Sequence, residues 1–134
     1  MRVLCVDDDP NVTLLLSVAL RRAGLATVTH GQAKAALEWL DRLEAVDVGC
    51  IVLDLFMPGM GGREFLAHLR RRPRLCAMPV IVVSGAAPTA QDLPAAGTYQ
   101  AFVAKPFDLQ ELVALVRTMA RTAGGVAGGE GAPA

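Results

Sequence analysis

Short apolar runs alternate with longer stretches of helical period along this chain, the pattern of a parallel sheet covered by helices on both faces. The runs Val3 to Val6, Ala26 to Thr29, Cys50 to Leu53, Val80 to Val83 and Ala101 to Ala104 are too short for helices. Most are rich in branched residues, so each is predicted to be a strand. After the first run, Val12, Leu15, Leu16, Ala19 and Ala23 recur at helical spacing, with Asp9 and Pro10 suited to the N-cap and first helical position and Gly24 to the stop. Ala33, Ala36, Leu37 and Leu40 mark a second helix, and Phe65, Leu66 and Leu69 a third that ends before Pro73. Leu109, Leu112, Val113, Val116 and Met119 mark the last, opened by Asp108 with Glu111 at capping-box spacing.

Two segments break the pattern. Between Ser84 and Tyr99 stand Pro88, Pro94, Gly97 and several alanines. An interior proline costs a helix about 3 kcal/mol, so the fourth helix is expected to be short, displaced or mobile. From Thr122 onward the chain is rich in glycine and alanine without a periodic apolar face. The expected organisation is therefore one domain over residues 1–121 and a flexible tail or linker stub over 122–134.

Composition narrows the class. A chain of 134 residues fits a single domain, which buries roughly two-thirds of its unfolded surface. With 53% apolar and 19% charged residues it lies far from the signature of disorder. Thirteen basic residues cancel thirteen acidic ones, so no global field gathers nucleic acid or an anionic membrane. Cys5, Cys50 and Cys76 are an odd count in apolar surroundings without a C-x-x-C spacing, which suits reduced, buried thiols and a cytoplasmic protein. No stretch resembles a signal peptide or a membrane span.

The chemistry collects at strand ends. In an open parallel sheet, ligands bind outside the carboxyl ends of the strands, where strand order reverses. Asp7, Asp8 and Asp9 follow the first strand, Asp54 the third, Ser84 the fourth and Lys105 the fifth. With order 2-1-3-4-5, strands one and three would lie about 4.8 Å apart and bring Asp7 or Asp8 to face Asp54. Crowded carboxylates require either a raised pKa or a cation. Oxygen ligands with no His or Cys nearby favour magnesium, and a carboxylate beside magnesium, a lysine and a hydroxyl has the parts for phosphoryl transfer with Asp54 as nucleophile.

Four motifs in this order, Val-Asp-Asp-Asp-Pro at 6–10, Leu-Asp-Leu-Phe-Met-Pro-Gly-Met at 53–60, Val-Val-Ser-Gly at 82–85 and Lys-Pro-Phe at 105–107, resemble the receiver domain of bacterial response regulators over about residues 1–121. The resemblance implies an α/β flavodoxin-like fold, a doubly wound parallel sheet of order 2-1-3-4-5, phosphorylated by a histidine kinase or phosphotransfer protein. It implies Asp54 as acceptor, with Mg2+ (or Mn2+) held by Asp8, Asp54 and the Phe56 carbonyl and Asp7 acting largely through water. Lys105 would pair with the phosphoryl oxygens and Ser84 would hydrogen-bond to one of them, coupled to a switch of Phe102. The Lys105-Pro106 bond would be cis. Output would pass by docking to a protein target or through a linked output domain, with homodimerisation possible and no direct binding of nucleic acid or membrane.

Some positions depart from the family. Gly61 stands where many relatives carry an acid, and Phe102 lacks the hydroxyl of the commoner tyrosine. Phe56 and Ala86 fall at the two positions that tune attack of water on the acyl phosphate, and neither can orient a water, so self-dephosphorylation is expected to be slow. Plainer readings cover other residues. Asp9 is better explained as a helix cap. Arg70, Arg71, Arg72 and Arg74 suit cations offsetting a helix C-terminus better than a nucleic-acid patch. His30 and His68 suit surface or helix-face positions, and Trp39 suits packing. Two competing functions remain: a phosphate-independent receiver-like interaction module, and an aspartyl-nucleophile phosphatase using the Asp-x-Asp of residues 7–9.

Overall fold

The computed structural model describes residues 1–85 and 92–128, with 122–128 as backbone only. Strands β1 (Arg2–Val6), β2 (Thr27–His30), β3 (Val48–Asp54), β4 (Val80–Ser84) and β5 (Ala101–Ala104) form one parallel sheet of order β2-β1-β3-β4-β5. Helices α1 (Pro10–Arg22), α2 (Ala33–Arg42), α3 (Gly62–Arg70) and α4 (Leu109–Gly128) cover it. This is the flavodoxin-like arrangement expected from the sequence.

The strands alternate their side chains between two cores, as a sheet buried on both faces must. Leu4, Val6, Ile51, Leu53, Val80 and Val82 face Ala36, Leu40, Phe65, Leu66 and Leu69 of α2 and α3. Val3, Cys5, Cys50, Val52, Ile81 and Val83 face Leu16 and Leu20 of α1 and Leu112 and Val116 of α4. The caps hold as read: the Asp9 carboxylate accepts from Asn11 N–H at 2.9 Å, Asp108 accepts from Glu111 N–H at 3.1 Å, and Gly24 ends α1 at φ +86°.

Several expectations need correction. Four of the five strands have bounds that differ by one or two residues at one or both ends: β2 is shifted by one residue, and in β1, β3 and β4 pairing with neighbours extends the ladder past the apolar run, so that Asp54 and Ser84 become the last residues of their strands. Between β4 and β5 the described residues 92–100 form turns and bends without a helix, while Ala86 and Pro88 lie outside the described residues. Helix α4 runs from Leu109 to Gly128, and among the residues whose burial is described its last buried one is Ala120. Cys5 and Cys50 are buried as expected, and burial raises both thiols to about 12, but Cys76 is exposed.

His30 stands at the end of β2, half-buried with its ring 5.7 Å from that of Trp39, so it is a packing residue. The Arg2 guanidinium also lies over the Trp39 ring, 4.9 Å from its centroid. His68, on α3, lies 3.8 Å from Glu64. The arginine run is structural, though not only for its own helix. Arg72 donates to His68 O of α3 and to the Asp41 carboxylate, Arg74 reaches the carbonyls of Leu40, Leu43 and Glu44 at the end of α2, and Arg70 donates to Thr98 O, Leu75 O and Cys76 O.

Candidate acidic site at the carboxyl rim

The strand order places the ends of β1 and β3 side by side, and the acids at those ends converge. Carboxylate oxygens of Asp7, Asp8 and Asp54 all lie within 4.8 Å of one another. Asp7 and Asp54 are 5% and 6% exposed, so two of the three charges have lost most of their water, while Asp8 stays exposed. This grouping fits a hard divalent cation: the donors are all oxygen, and the negative charge exceeds what one lysine can balance.

Lys105 follows β5 and reaches the acids past the end of β4. Its Nζ lies 3.0 Å from Asp7 Oδ2 and 3.8 Å from Asp54 Oδ1. The cis Lys105-Pro106 bond is present as expected, and Lys105 N–H donates to Ser84 O at 2.8 Å. Asp7 is also held from its own loop, where Asp9 N–H donates to Asp7 Oδ1 at 2.9 Å. The Lys105–Asp7 pair was not anticipated from sequence, which assigned Lys105 to phosphoryl oxygens alone. Asp9, set aside as a cap, serves both ends: its side chain caps α1 and its N–H orients Asp7.

Electrostatics separate these groups. Burial raises the Asp54 carboxyl to about 6; Asp7 and Asp8 push the same way, while Lys105 and a hydrogen bond from the Phe56 backbone pull back. Burial acts to lower the Lys105 pKa, but the hydrogen bond to Asp7 and the charges of Asp54, Asp7 and Asp9 outweigh it and leave the ammonium raised. The lysine is therefore a fixed cation and Asp54 the poorly compensated anion.

Ser84 ends β4 fully buried, paired in register with Ala104. Phe102 stands on the edge strand β5 and is 37% exposed, with Val82 as its register partner. Phe56, 41% exposed, lies two residues past the end of β3 and lines a cleft of about 440 Å³ with Met57, Pro58, Gly59, Arg63 and Asp92. The rim thus brings together Asp7, Asp8, Asp54 and Lys105, with Ser84 at the neighbouring strand end and Phe56 at the start of the adjoining loop. Phe102 lies two residues back along β5 from Ala104.

Known proteins share the fold and the family. The family described as the response regulator receiver domain matches residues 3–117. The transcriptional regulatory protein FixJ of Azorhizobium caulinodans is 38% identical over 112 residues, covering 84% of this chain and 51% of that protein. The transcriptional regulatory protein TcrA of Mycobacterium tuberculosis is 32% identical over 121 residues, covering 90% of this chain and 46% of that protein. The chain thus spans about half the length of these curated relatives. Among solved structures, a response regulator receiver protein from Pseudomonas putida superposes with a TM-score of 0.78 at 28% identity, over 88% of this chain and 98% of the other. The receiver domain of the Francisella response regulator 1452 gives a TM-score of 0.77 at 25% identity, over 90% of this chain and 97% of the other. Sheet order, an acidic rim and a family match across nearly the whole described domain agree, and this chain belongs to the response regulator receiver domain family of two-component signalling.

Proposed function

We propose that this domain is a phosphorylation switch that accepts a phosphoryl group on Asp54 from the phosphohistidine of a histidine kinase or phosphotransfer protein. The observation that carries this reading is the Asp54 carboxylate: it is buried, crowded by Asp7 and Asp8, and 3.8 Å from the Lys105 ammonium. Asp7, Asp8, Asp54 and the Phe56 carbonyl would hold Mg2+ (or Mn2+), which when bound neutralises charge on the acids and on the transferring phosphoryl group.

In the transfer, an ionised Asp54 oxygen attacks phosphorus, the O–P bond forms and the N–P bond to the donor imidazole breaks. Lys105, already between Asp7 and Asp54, pairs with a phosphoryl oxygen without leaving the rim. The Ser84 hydroxyl donates to another phosphoryl oxygen, and its movement is coupled to rotation of the exposed Phe102 ring. One Asp7 oxygen takes the Lys105 ammonium and the other the Asp9 N–H, which supports Asp54 over Asp7 as nucleophile.

The adduct adds roughly two negative charges to the rim and shifts the population of rim conformations. Residues 1–121 form the receiver and 122–134 lead out of it; output passes to a docked protein or a linked domain, in the cytoplasm. Phe56 offers no group to orient an attacking water, so the phosphorylated form decays slowly without a phosphatase.

The test is treatment with acetyl phosphate, read by intact mass on wild type, Asp54→Ala and Asp7→Ala. A single Mg2+-dependent adduct, lost in Asp54→Ala, is expected. An adduct surviving Asp54→Ala would overturn the reading and point to Asp7, and loss of the wild-type adduct within seconds would contradict slow hydrolysis.

A further inference from the structure

Helix α3 begins on the acceptor's own main chain. Gly62 N–H donates to Leu55 O at 2.8 Å, which closes residues 56–61 into a loop that starts with Phe56. A Cβ added at Gly62 would lie 2.8 Å from the Asp54 carbonyl oxygen, 2.9 Å from Leu55 Cα and 3.2 Å from Leu55 O. All three are backbone atoms, with no flexible tip to swing aside. Among the described residues the positive-φ glycines are Gly24, Gly59 and Gly97, so Gly62 is needed for room and not for conformation. Its neighbour differs: a Cβ at Gly61 meets only Leu55 O, at an ordinary 3.4 Å.

We infer that Gly62 is a positioning residue for phosphoryl transfer: its bare Cα lets α3 seat on the Asp54–Leu55 peptide and fixes the Asp54 carboxylate and Phe56 carbonyl against Asp7 and Asp8. The inference rests on Asp54 being the acceptor. Phe65, Leu66 and Leu69 on the inner face of α3 are fully buried, so the helix cannot retreat without opening the core. A side chain at residue 62 therefore displaces the loop and the acceptor strand end. The acids must stay within a few tenths of an ångström of one arrangement to share a cation, whereas folding alone tolerates such a shift.

The test compares full-length Gly62→Ala with Gly61→Ala and with Val116→Ala, a destabilised control whose side chain lies in the core on the opposite face. Calorimetry measures Mg2+ affinity of the unphosphorylated proteins, and acetyl phosphate gives the phosphorylation rate at saturating Mg2+. Gly62→Ala is expected to weaken Mg2+ binding at least about 10-fold and to slow phosphorylation about 10–100-fold, with both controls within about twofold of wild type. A folded Gly62→Ala protein with wild-type Mg2+ affinity would overturn the inference. If that variant does not fold, amide exchange in wild type decides: Mg2+ is expected to slow exchange of Gly62 N–H more than that of Arg70 N–H at the far end of α3, and an unchanged Gly62 rate overturns it. Mg2+ binding by a wild type that takes no phosphate would remove the phosphoacceptor reading while leaving the Mg2+ comparison valid.

Discussion

The two ends of the sheet treat charge in opposite ways. At the amino end, arginines meet acids and carbonyls locally: Arg2 with Asp47 at 2.6 Å, Arg72 with Asp41 at 2.7 Å, and Arg74 with the carbonyls that end α2. Hydrogen bonds from Arg2 and Arg72 hold Asp47 and Asp41 below the usual carboxylate range. At the carboxyl end Asp7 and Asp54 share Lys105 with Asp8 close by, and Asp54 is pushed up to about 6. A net charge of zero hides this separation. Charges that fasten the fold are paired at the surface, where each pair contributes little; the charges available for chemistry are left short of a partner where burial makes the shortage costly.

Supplying the missing cation should give the largest effect. At pH 7.5, Mg2+ at a hundredfold excess over its Kd should stabilise the wild type by about 2.7 kcal/mol, and a chelator should reverse it. Thermal melts should show this rise in wild type and little of it in Asp54→Asn.

Removing one of the crowded charges comes next. Asp54 titrates near 6 in the folded chain against an ordinary value of 3.8. Between those values the folded state binds more protons than the unfolded state, so stability falls as pH rises through the window and stays lower above it. Asp54→Asn should therefore stabilise the metal-free protein above pH 6 by on the order of 2 kcal/mol and have almost no effect below pH 4. Melts across that range would sink the account if the substitution stabilised equally at every pH.

The amino end should respond least. Arg72→Ala breaks an exposed pair with Asp41 and should cost no more than about 1 kcal/mol in denaturant unfolding, with Mg2+ affinity unchanged. A larger loss of Mg2+ binding would mean that the two ends are coupled.

These differences also mark what the sequence could reveal. Strand cores, the caps at Asp9 and Asp108, and the rim acids are local signals or follow from one topological rule, so they could be read from spacing. The Lys105–Asp7 pair joins residues 98 positions apart and depends on the side chain passing the end of β4. Arg74 caps α2 and Arg70 holds Thr98, contacts that no periodicity encodes. Gly62 lies two residues past the motif at 53–60, and its role, a close approach to the Asp54 carbonyl, exists only once α3 is folded against β3.

The most direct test of a rim short of positive charge is a carboxyl-carbon NMR titration of the Asp side chains with and without Mg2+. The account predicts that Asp54 titrates near 6 without the metal and moves down when Mg2+ is added, while Asp41 and Asp47 titrate below the usual range in both conditions. Asp54 titrating in the ordinary carboxylate range and ignoring Mg2+ would contradict it.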